Sequence, residues 1–147
     1  MTPDDDRRWL ELACDLARSC PPSETAFSVG AVLVGADGTE LARGFSRETD
    51  PKAHAEEVAL ARAGRFDPAG VTVYSSLEPC GRRLSRPRPC ARLIVDAGIR
   101  RVVYAWREPS LFVEGTGDEV LRAAGVAVVH LPALADRARE PNRHLLD

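Results

Sequence analysis

The sequence contains few aromatic residues, a single methionine, a single lysine and no long apolar run. Aromatic residues make up 5% of the 147 positions, and the 11 glycines and 11 prolines are too few for a fibrous repeat. The longest apolar stretches, such as residues 126–131, are much shorter than the roughly 20 residues that a transmembrane helix needs. The first residues, MTPDDDRRW, are acidic where a secretory signal is basic. We therefore expect no membrane segment and a cytoplasmic location.

The order of predicted elements indicates one α/β domain over residues 1–147. A chain of this length that is 44% hydrophobic and 29% charged can bury a sizeable core. Apolar periodicity and turn residues predict helices at about 4–19, 54–63, 91–97 and 118–124, strands at 27–34, 41–45, 71–75, 101–106 and 126–131, and a partly helical tail from 134. Single helices between strands predict parallel neighbours, and the opening hairpin adds an antiparallel edge. The expected architecture is a three-layer α/β/α fold around a five-stranded mixed sheet.

Charge is nearly balanced overall but uneven along the chain. The net charge of −2 argues against a general polyanion binder. Between positions 82 and 107, however, eight arginines accompany one acidic residue, Asp96. We interpret this basic segment as a candidate surface for a phosphate group.

Three residues have the side chains of a zinc site. His54 offers an imidazole, Cys80 and Cys90 offer thiolates, and a disulfide framework is not expected in a cytosolic chain of this size. An imidazole and two thiolates fill three tetrahedral positions and leave the fourth for water, as in catalytic zinc sites. The ligand-bearing segments lie at predicted helix starts, where partial positive charge favours the thiolate. Glu56, two residues after His54, is suited to carry a proton beside that water.

These residues match a known signature. His-x-Glu followed by Pro-Cys-x-x-Cys marks zinc nucleobase deaminases, in which the glutamate lies outside the metal shell. His54-Ala-Glu56 and Pro79-Cys80 match this pattern. The second cysteine differs, because nine residues rather than two separate Cys80 from Cys90.

The longer cysteine interval resembles the pyrimidine deaminases of riboflavin biosynthesis, and most of all their yeast-type deaminase domain. The motifs of that family stand here as Gly44-Phe-Ser-Arg-Glu48, His54-Ala-Glu56, Leu77-Glu-Pro-Cys80, Arg83-Leu-Ser85 and Cys90. Residues 108–113, Glu-Pro-Ser-Leu-Phe-Val, are also similar to a later segment of the family. The resemblance covers about residues 26–131.

The resemblance implies a cytidine deaminase-like fold, a homodimer, and one Zn²⁺ per chain held by His54, Cys80 and Cys90. It also implies that Glu56 is the catalytic acid and base. Glu78 precedes the Pro-Cys turn, and we interpret it as part of the loop structure rather than of the catalysis.

The resemblance further implies hydrolytic loss of the 2-amino group of a diamino-(ribosyl- or ribityl-)amino-pyrimidinone 5′-phosphate. This reaction belongs to riboflavin biosynthesis or a related specialised pathway. We assign substrate contacts to Arg83, Ser85 and Ser46. Arg83 is the candidate phosphate ligand, because its loop is tethered to the metal at both ends and a guanidinium binds phosphate oxygens in pairs.

Two departures from the family pattern keep alternatives open. Asp50-Pro-Lys-Ala53, before His54, resembles tRNA adenosine and guanine deaminases, and Arg86-Pro87 replaces a Gly-Asn pair. One alternative is a nucleoside or free-base deaminase acting on cytidine, cytosine or guanine. Another is a tRNA adenosine deaminase, but the negative net charge and the lack of a basic C-terminal helix argue against nucleic acid. A third is a zinc-stabilised binding module without turnover. This hypothesis does not explain the presence of Glu56.

Overall fold

A five-stranded mixed sheet lies between two layers of helices. The computed structural model describes residues 2–81, 88–107 and 116–146. Its strands are β1 (Gly30–Val34), β2 (Glu40–Phe45), β3 (Thr72–Leu77), β4 (Arg101–Trp106) and β5 (Ala127–His130). Its α-helices are α1 (Pro3–Ala17), α2 (Ala55–Ala63), α3 (Cys90–Asp96), α4 (Gly117–Ala123) and α5 (Ala135–Arg139), with 3₁₀ turns at Pro132–Leu134 and Glu140–Leu145. None of these helices is both long and apolar enough to cross a membrane.

The strand order β2-β1-β3-β4-β5 gives the sheet its mixed character. β1 pairs antiparallel with β2 and β3, whereas the β3–β4 and β4–β5 pairs are parallel. The predicted five-stranded mixed sheet is therefore confirmed. The expectation that strands joined by one helix are neighbours is wrong for β2 and β3, because β1 lies between them. β1 is buried along its whole length, as an interior strand requires, whereas β2 exposes alternate residues at the edge of the sheet.

Two hydrophobic cores form where the helices pack against the two faces of the sheet. α1 and α5 cover one face, where Leu10 and Tyr74 are fully buried. α2, α3 and α4 cover the other face, around Ile94 and Leu121. The expected three-layer arrangement is therefore confirmed.

The first strand is shorter than predicted. The expected strand covered residues 27–34, but β1 begins at Gly30. The N–H groups of the two residues before β1 donate to side chains instead of to a neighbouring strand. Asn142 Oδ1 accepts from the Ser28 N–H at 2.6 Å, and Ser46 Oγ accepts from the Val29 N–H at 2.9 Å. Because Asn142 lies 114 residues away from Ser28 along the chain, no local pattern could have indicated where β1 begins.

The directions of the strands bring three strand ends to one edge of the sheet. β2 and β3 are both antiparallel to β1, and β4 is parallel to β3, so these three strands end at the same edge. The chain then continues from this edge into α2, α3 and α4 respectively. Carboxyl ends of strands in open α/β sheets form the crevices where ligands bind.

A buried carboxylate connects α1 to the sheet. Asp6 is 5% exposed and accepts hydrogen bonds from Tyr74 Oη at 2.6 Å and from both terminal nitrogens of Arg101 at 2.8 and 2.6 Å. Burial opposes ionisation of Asp6, but the bonds from Arg101 and Tyr74 outweigh it, so the pKa of Asp6 is lowered. The ionised form is therefore the one that holds α1 against β3 and β4.

We expect Asp6→Asn to lower the free energy of unfolding at pH 7 by about 3 kcal/mol, because Arg101 loses its negatively charged partner. This is the lower end of the range for buried pairs, since the Arg101 side chain remains 30% exposed. The lowered pKa means that the carboxylate contributes above the ordinary aspartate value of about 3.9 and that this contribution is lost at lower pH. Urea denaturation at pH 7 and near pH 3 measures both effects.

Asp4→Asn is the matched control, since Asp4 is exposed in the same helical turn. It should change stability by less than about 0.5 kcal/mol. A gap between wild type and Asp6→Asn that stays constant as the pH falls would contradict the assignment.

Candidate active site

A cavity of about 500 Å³ opens at the edge where β2, β3 and β4 end. Its walls come from the segment before β1, the turn after β2, the start of α2 and the turn after β3. The lining residues that the structure describes are Thr25, Ala26, Phe27, Val29, Ser46, Arg47, Pro51, Lys52, Ala53, His54, Ala55, Glu56, Leu77, Glu78 and Cys80. The volume lies within the ordinary range for small-molecule sites.

The three predicted metal ligands meet in this region. His54, Cys80 and Cys90 come from separate segments, yet their donor atoms all lie within 4.8 Å of one another. His54 Nδ1 is 3.6 Å from Cys80 Sγ and 3.4 Å from Cys90 Sγ. The structure therefore brings together all three residues that the sequence singled out.

These distances fit a zinc ion. With bonds of about 2.05 Å to nitrogen and 2.3 Å to sulfur, a tetrahedral zinc site separates the two donors by about 3.5 Å. The observed 3.6 and 3.4 Å from His54 Nδ1 to the two sulfurs match that separation. A nitrogen and two sulfur donors are also the types that zinc prefers.

Helix starts position the ligands. His54 is the residue before α2, and Glu57 Oε1 accepts from its backbone N–H at 3.1 Å. Cys90 is the first residue of α3, and its backbone N–H donates to Cys80 Sγ at 3.1 Å. Gly44 makes room for α2, since a Cβ there would lie 2.8 Å from the Ala55 carbonyl oxygen.

The surroundings favour the thiolate at Cys80. The hydrogen bond with the Cys90 side chain has the largest effect, and together with His54 it outweighs burial and lowers the pKa of Cys80 to about 4. A thiolate is the form that binds metal. Cys80 is therefore ready to ligate at neutral pH.

Glu56 lies buried next to the three donors. It is 4% exposed, and burial raises its pKa, with the negative charge of Cys80 acting in the same direction. Ser75 Oγ lies 3.2 Å from Glu56 Oε1 and donates to the Leu77 carbonyl oxygen at 2.7 Å. A carboxyl group with a raised pKa can take up a proton and return it more readily than an ordinary glutamate.

The predicted substrate contacts are only partly within the described chain. Ser46 lines the cavity, and its hydroxyl is bonded to the backbone N–H and carbonyl of Val29 at 2.9 and 3.4 Å. Arg83 and Ser85 lie outside the described residues. Substrate contact by these three residues stays a prediction.

Arg47 is a residue of the cavity wall for which the sequence analysis predicted no role. Its backbone adopts a left-handed conformation, with φ at 61°, which is uncommon for a residue other than glycine. Its guanidinium donates to the carbonyls of Pro21 and Phe27 and to Ser28 Oγ, at distances from 2.7 to 3.2 Å. These partners lie 19 to 26 residues earlier in the chain, so no local motif marks the interaction. Arg47 thus fixes the segment that forms one side of the cavity.

A metal site with three protein ligands beside a buried carboxylate is the arrangement of zinc-dependent hydrolytic enzymes. Residues 3–106 match the cytidine and deoxycytidylate deaminase zinc-binding region, and the chain belongs to this family.

Known proteins confirm the predicted resemblance to the deaminases of riboflavin biosynthesis. The chain is 36% identical over 133 residues to the diaminohydroxyphosphoribosylamino-pyrimidine deaminase of Schizosaccharomyces pombe, covering 88% of this chain and 33% of that protein. It is 38% identical over 141 residues to the riboflavin biosynthesis protein RibD of Aquifex aeolicus, covering 93% of this chain and 37% of that protein. The solved structure of Acinetobacter baumannii RibD superposes with a TM-score of 0.83 at 32% identity, covering 97% of this chain and 39% of that chain. The chain thus spans about a third of the length of the curated relatives it matches.

We expect Arg47→Ala to loosen the segment before β1. Phe27 is half-buried in wild type and contacts Trp106, with ring centroids 5.1 Å apart. Loss of the guanidinium should expose Phe27 to chymotrypsin and accelerate cleavage at least tenfold, equivalent to one charge-assisted hydrogen bond of about 1.5 kcal/mol. Timed proteolysis followed by mass spectrometry measures the rate.

Arg43→Ala is the matched control. Arg43 lies on the same chain segment, but its guanidinium donates only to Glu40 among the described residues. Equal cleavage at Phe27 in the two variants would show that Arg47 does not hold this wall.

Proposed function

We propose that this chain is a single zinc-dependent deaminase domain, residues 1–147, that hydrolyses an amino group from an aminopyrimidine. The observation that carries the proposal is the meeting of His54, Cys80 and Cys90 within 4.8 Å, with the buried Glu56 beside them. Membership of the cytidine and deoxycytidylate deaminase family supports it. A binding module without turnover has no use for a buried carboxyl group at this position.

In the proposed site, His54 Nδ1 and the sulfurs of Cys80 and Cys90 hold one zinc ion per chain. Bound zinc lowers the pKa of a water ligand toward neutrality and so supplies the nucleophile at physiological pH. The chain's own residues then orient the reactants. The cavity places the ring carbon that bears the amino group next to the proposed zinc site.

Glu56 moves the protons of the reaction. It takes a proton from the attacking water as the water oxygen bonds to the ring carbon. It delivers that proton to the adjacent ring nitrogen, and it then transfers the second proton of the water to the departing amino group. The carbon–nitrogen bond breaks, the ring keeps a carbonyl, and ammonia leaves. One carboxyl group can serve each transfer because the reacting groups lie on one side of the ring.

Glu56→Gln should retain zinc and fold but lose turnover by roughly 10²- to 10⁴-fold, the usual contribution of a general acid or base. Ammonia release measures turnover, and elemental analysis measures zinc. Wild type and Glu56→Gln should each hold one equivalent of zinc, whereas Cys90→Ser should hold much less. A near-normal rate in Glu56→Gln would remove this residue from the mechanism, and full zinc retention in Cys90→Ser would remove that ligand.

The proposed substrate is a diamino-(ribosyl- or ribityl-)amino-pyrimidinone 5′-phosphate that loses its 2-amino group. The name of the Schizosaccharomyces pombe relative supports this substrate class. The cavity of about 500 Å³ is large enough for a pyrimidine with a sugar phosphate. Arg83 is the proposed phosphate ligand, and Ser85 and Ser46 are proposed to contact the remainder of the substrate.

A panel of aminopyrimidines assayed for ammonia tests the substrate. Wild type should prefer the phosphorylated diaminopyrimidine over cytidine, cytosine and guanine. Arg83→Ala should raise KM for that substrate by roughly tenfold or more with a smaller change in kcat, because a charge-assisted phosphate contact is lost. A preference for an unphosphorylated base or nucleoside, unaffected by Arg83→Ala, would favour the alternative deaminase activity.

We also propose that the protein acts in the cytoplasm and as a homodimer. The homodimer follows from the family resemblance alone, and the location follows from the composition.

A further inference from the structure

We propose that Glu78 and Gly117 are positioning residues that fix Cys80 by joining its turn to the start of α4. The inference rests on the zinc site of the proposed function. It assigns a role to α4, an element that contributes none of the three metal ligands. The proposed role of the buried Glu78 is structural and differs from the proton transfers of Glu56.

Glu78 connects the metal turn to two other elements. Its side chain is buried, with 2% of the residue exposed, although the residue is acidic. Its backbone N–H donates to the Trp106 carbonyl oxygen at 2.8 Å, which continues the β3–β4 pairing past the end of the strands. Its Oε2 accepts from the backbone N–H of Asp118 at 2.8 Å. The residue two positions before Cys80 is thus held by both β4 and α4.

Gly117 lies directly against the same turn. A Cβ at Gly117 would lie 1.5 Å from the Pro79 carbonyl oxygen and 2.7 Å from the Pro79 carbonyl carbon. Both atoms belong to the peptide that leads into Cys80, and both are backbone, so a side chain could not move aside. Any residue other than glycine must displace either the metal turn or the start of α4.

The start of α4 is itself held in place. Asp118 Oδ2 accepts from Tyr104 Oη on β4 at 2.8 Å, and Asp118 Oδ1 accepts from Arg122 Nε one turn along the helix. Asp118 is 8% exposed, and its pKa is lowered because these bonds outweigh its burial. The ionised Asp118 therefore fixes the start of α4, which includes Gly117 and the N–H group that Glu78 binds.

The Cys80 turn is consequently held from two sides. On one side, the Cys90 N–H bonds to Cys80 Sγ, and the Ala91 N–H bonds to the Cys80 carbonyl oxygen at 3.0 Å. On the other side lie Glu78 and Gly117. Residues that support metal ligands in this way set metal affinity without touching the metal.

Zinc release from the holoprotein tests the inference. The purified zinc-loaded chain is mixed with excess 4-(2-pyridylazo)resorcinol, and the absorbance of the zinc–dye complex gives the release rate. Glu78→Ala and Gly117→Ala should release zinc roughly 10- to 100-fold faster than wild type. Glu78→Gln should stay close to wild type, because its amide oxygen can still accept from the Asp118 N–H.

Leu121→Ala is the matched control for loss of stability. Leu121 is fully buried in the same helix, in the core between α4 and the sheet. The variant should lower the Tm yet release zinc near the wild-type rate. Wild-type release rates in Gly117→Ala and Glu78→Ala, or equally fast release from Leu121→Ala, would overturn the positioning role. A wild-type chain that holds no zinc would instead overturn the proposed function, and this inference with it.

Discussion

The Pro79–Cys80 turn joins the ends of β3 and β4 to the starts of α3 and α4, and the arrangement of the site depends on it. The turn follows β3 directly, and the backbone of Glu78 remains bonded to Trp106 at the end of β4. The first N–H groups of α3 bond the sulfur and carbonyl of Cys80. A displacement of this turn would separate Cys80 from His54, which reaches the site from a different strand and helix. The metal site is thus a consequence of strand direction and helix starts.

The electrostatics of the site favour a bound cation. Cys80 has a lowered pKa and Glu56 a raised one, and the nearby thiolate contributes to the rise at Glu56. Two anionic groups buried together are unfavourable unless a positive charge accompanies them. The partial positive charge of a helix start compensates only in part. A zinc ion held by His54, Cys80 and Cys90 would complete the compensation and would supply the nucleophile of the proposed reaction.

The same kind of contact fixes each outer layer of the fold to the sheet. On one face, Asp6 of α1 accepts from Tyr74 of β3 and from Arg101. On the other face, Asp118 of α4 accepts from Tyr104 of β4 and from Arg122. Each aspartate is ionised and buried, and each accepts from an arginine and from a tyrosine hydroxyl. The first contact serves stability, whereas the second also supports the metal turn.

Local sequence patterns were enough to predict the helices and strands and the donor types of the site. Apolar periodicity is local, so the helices and strands could be placed to within a few residues, and β4 was predicted at its observed bounds. The residue types of His54, Cys80 and Cys90 predict a zinc site without any knowledge of their positions in space. The order of the strands, the start of β1 and the residues that support the site depend instead on long-range contacts in the folded chain. Arg47 reaches segments 19 to 26 residues away, and Glu78 bonds a backbone group 40 residues away. Contacts of this kind leave no periodic trace in the sequence, because they form between segments that meet only once the chain has folded.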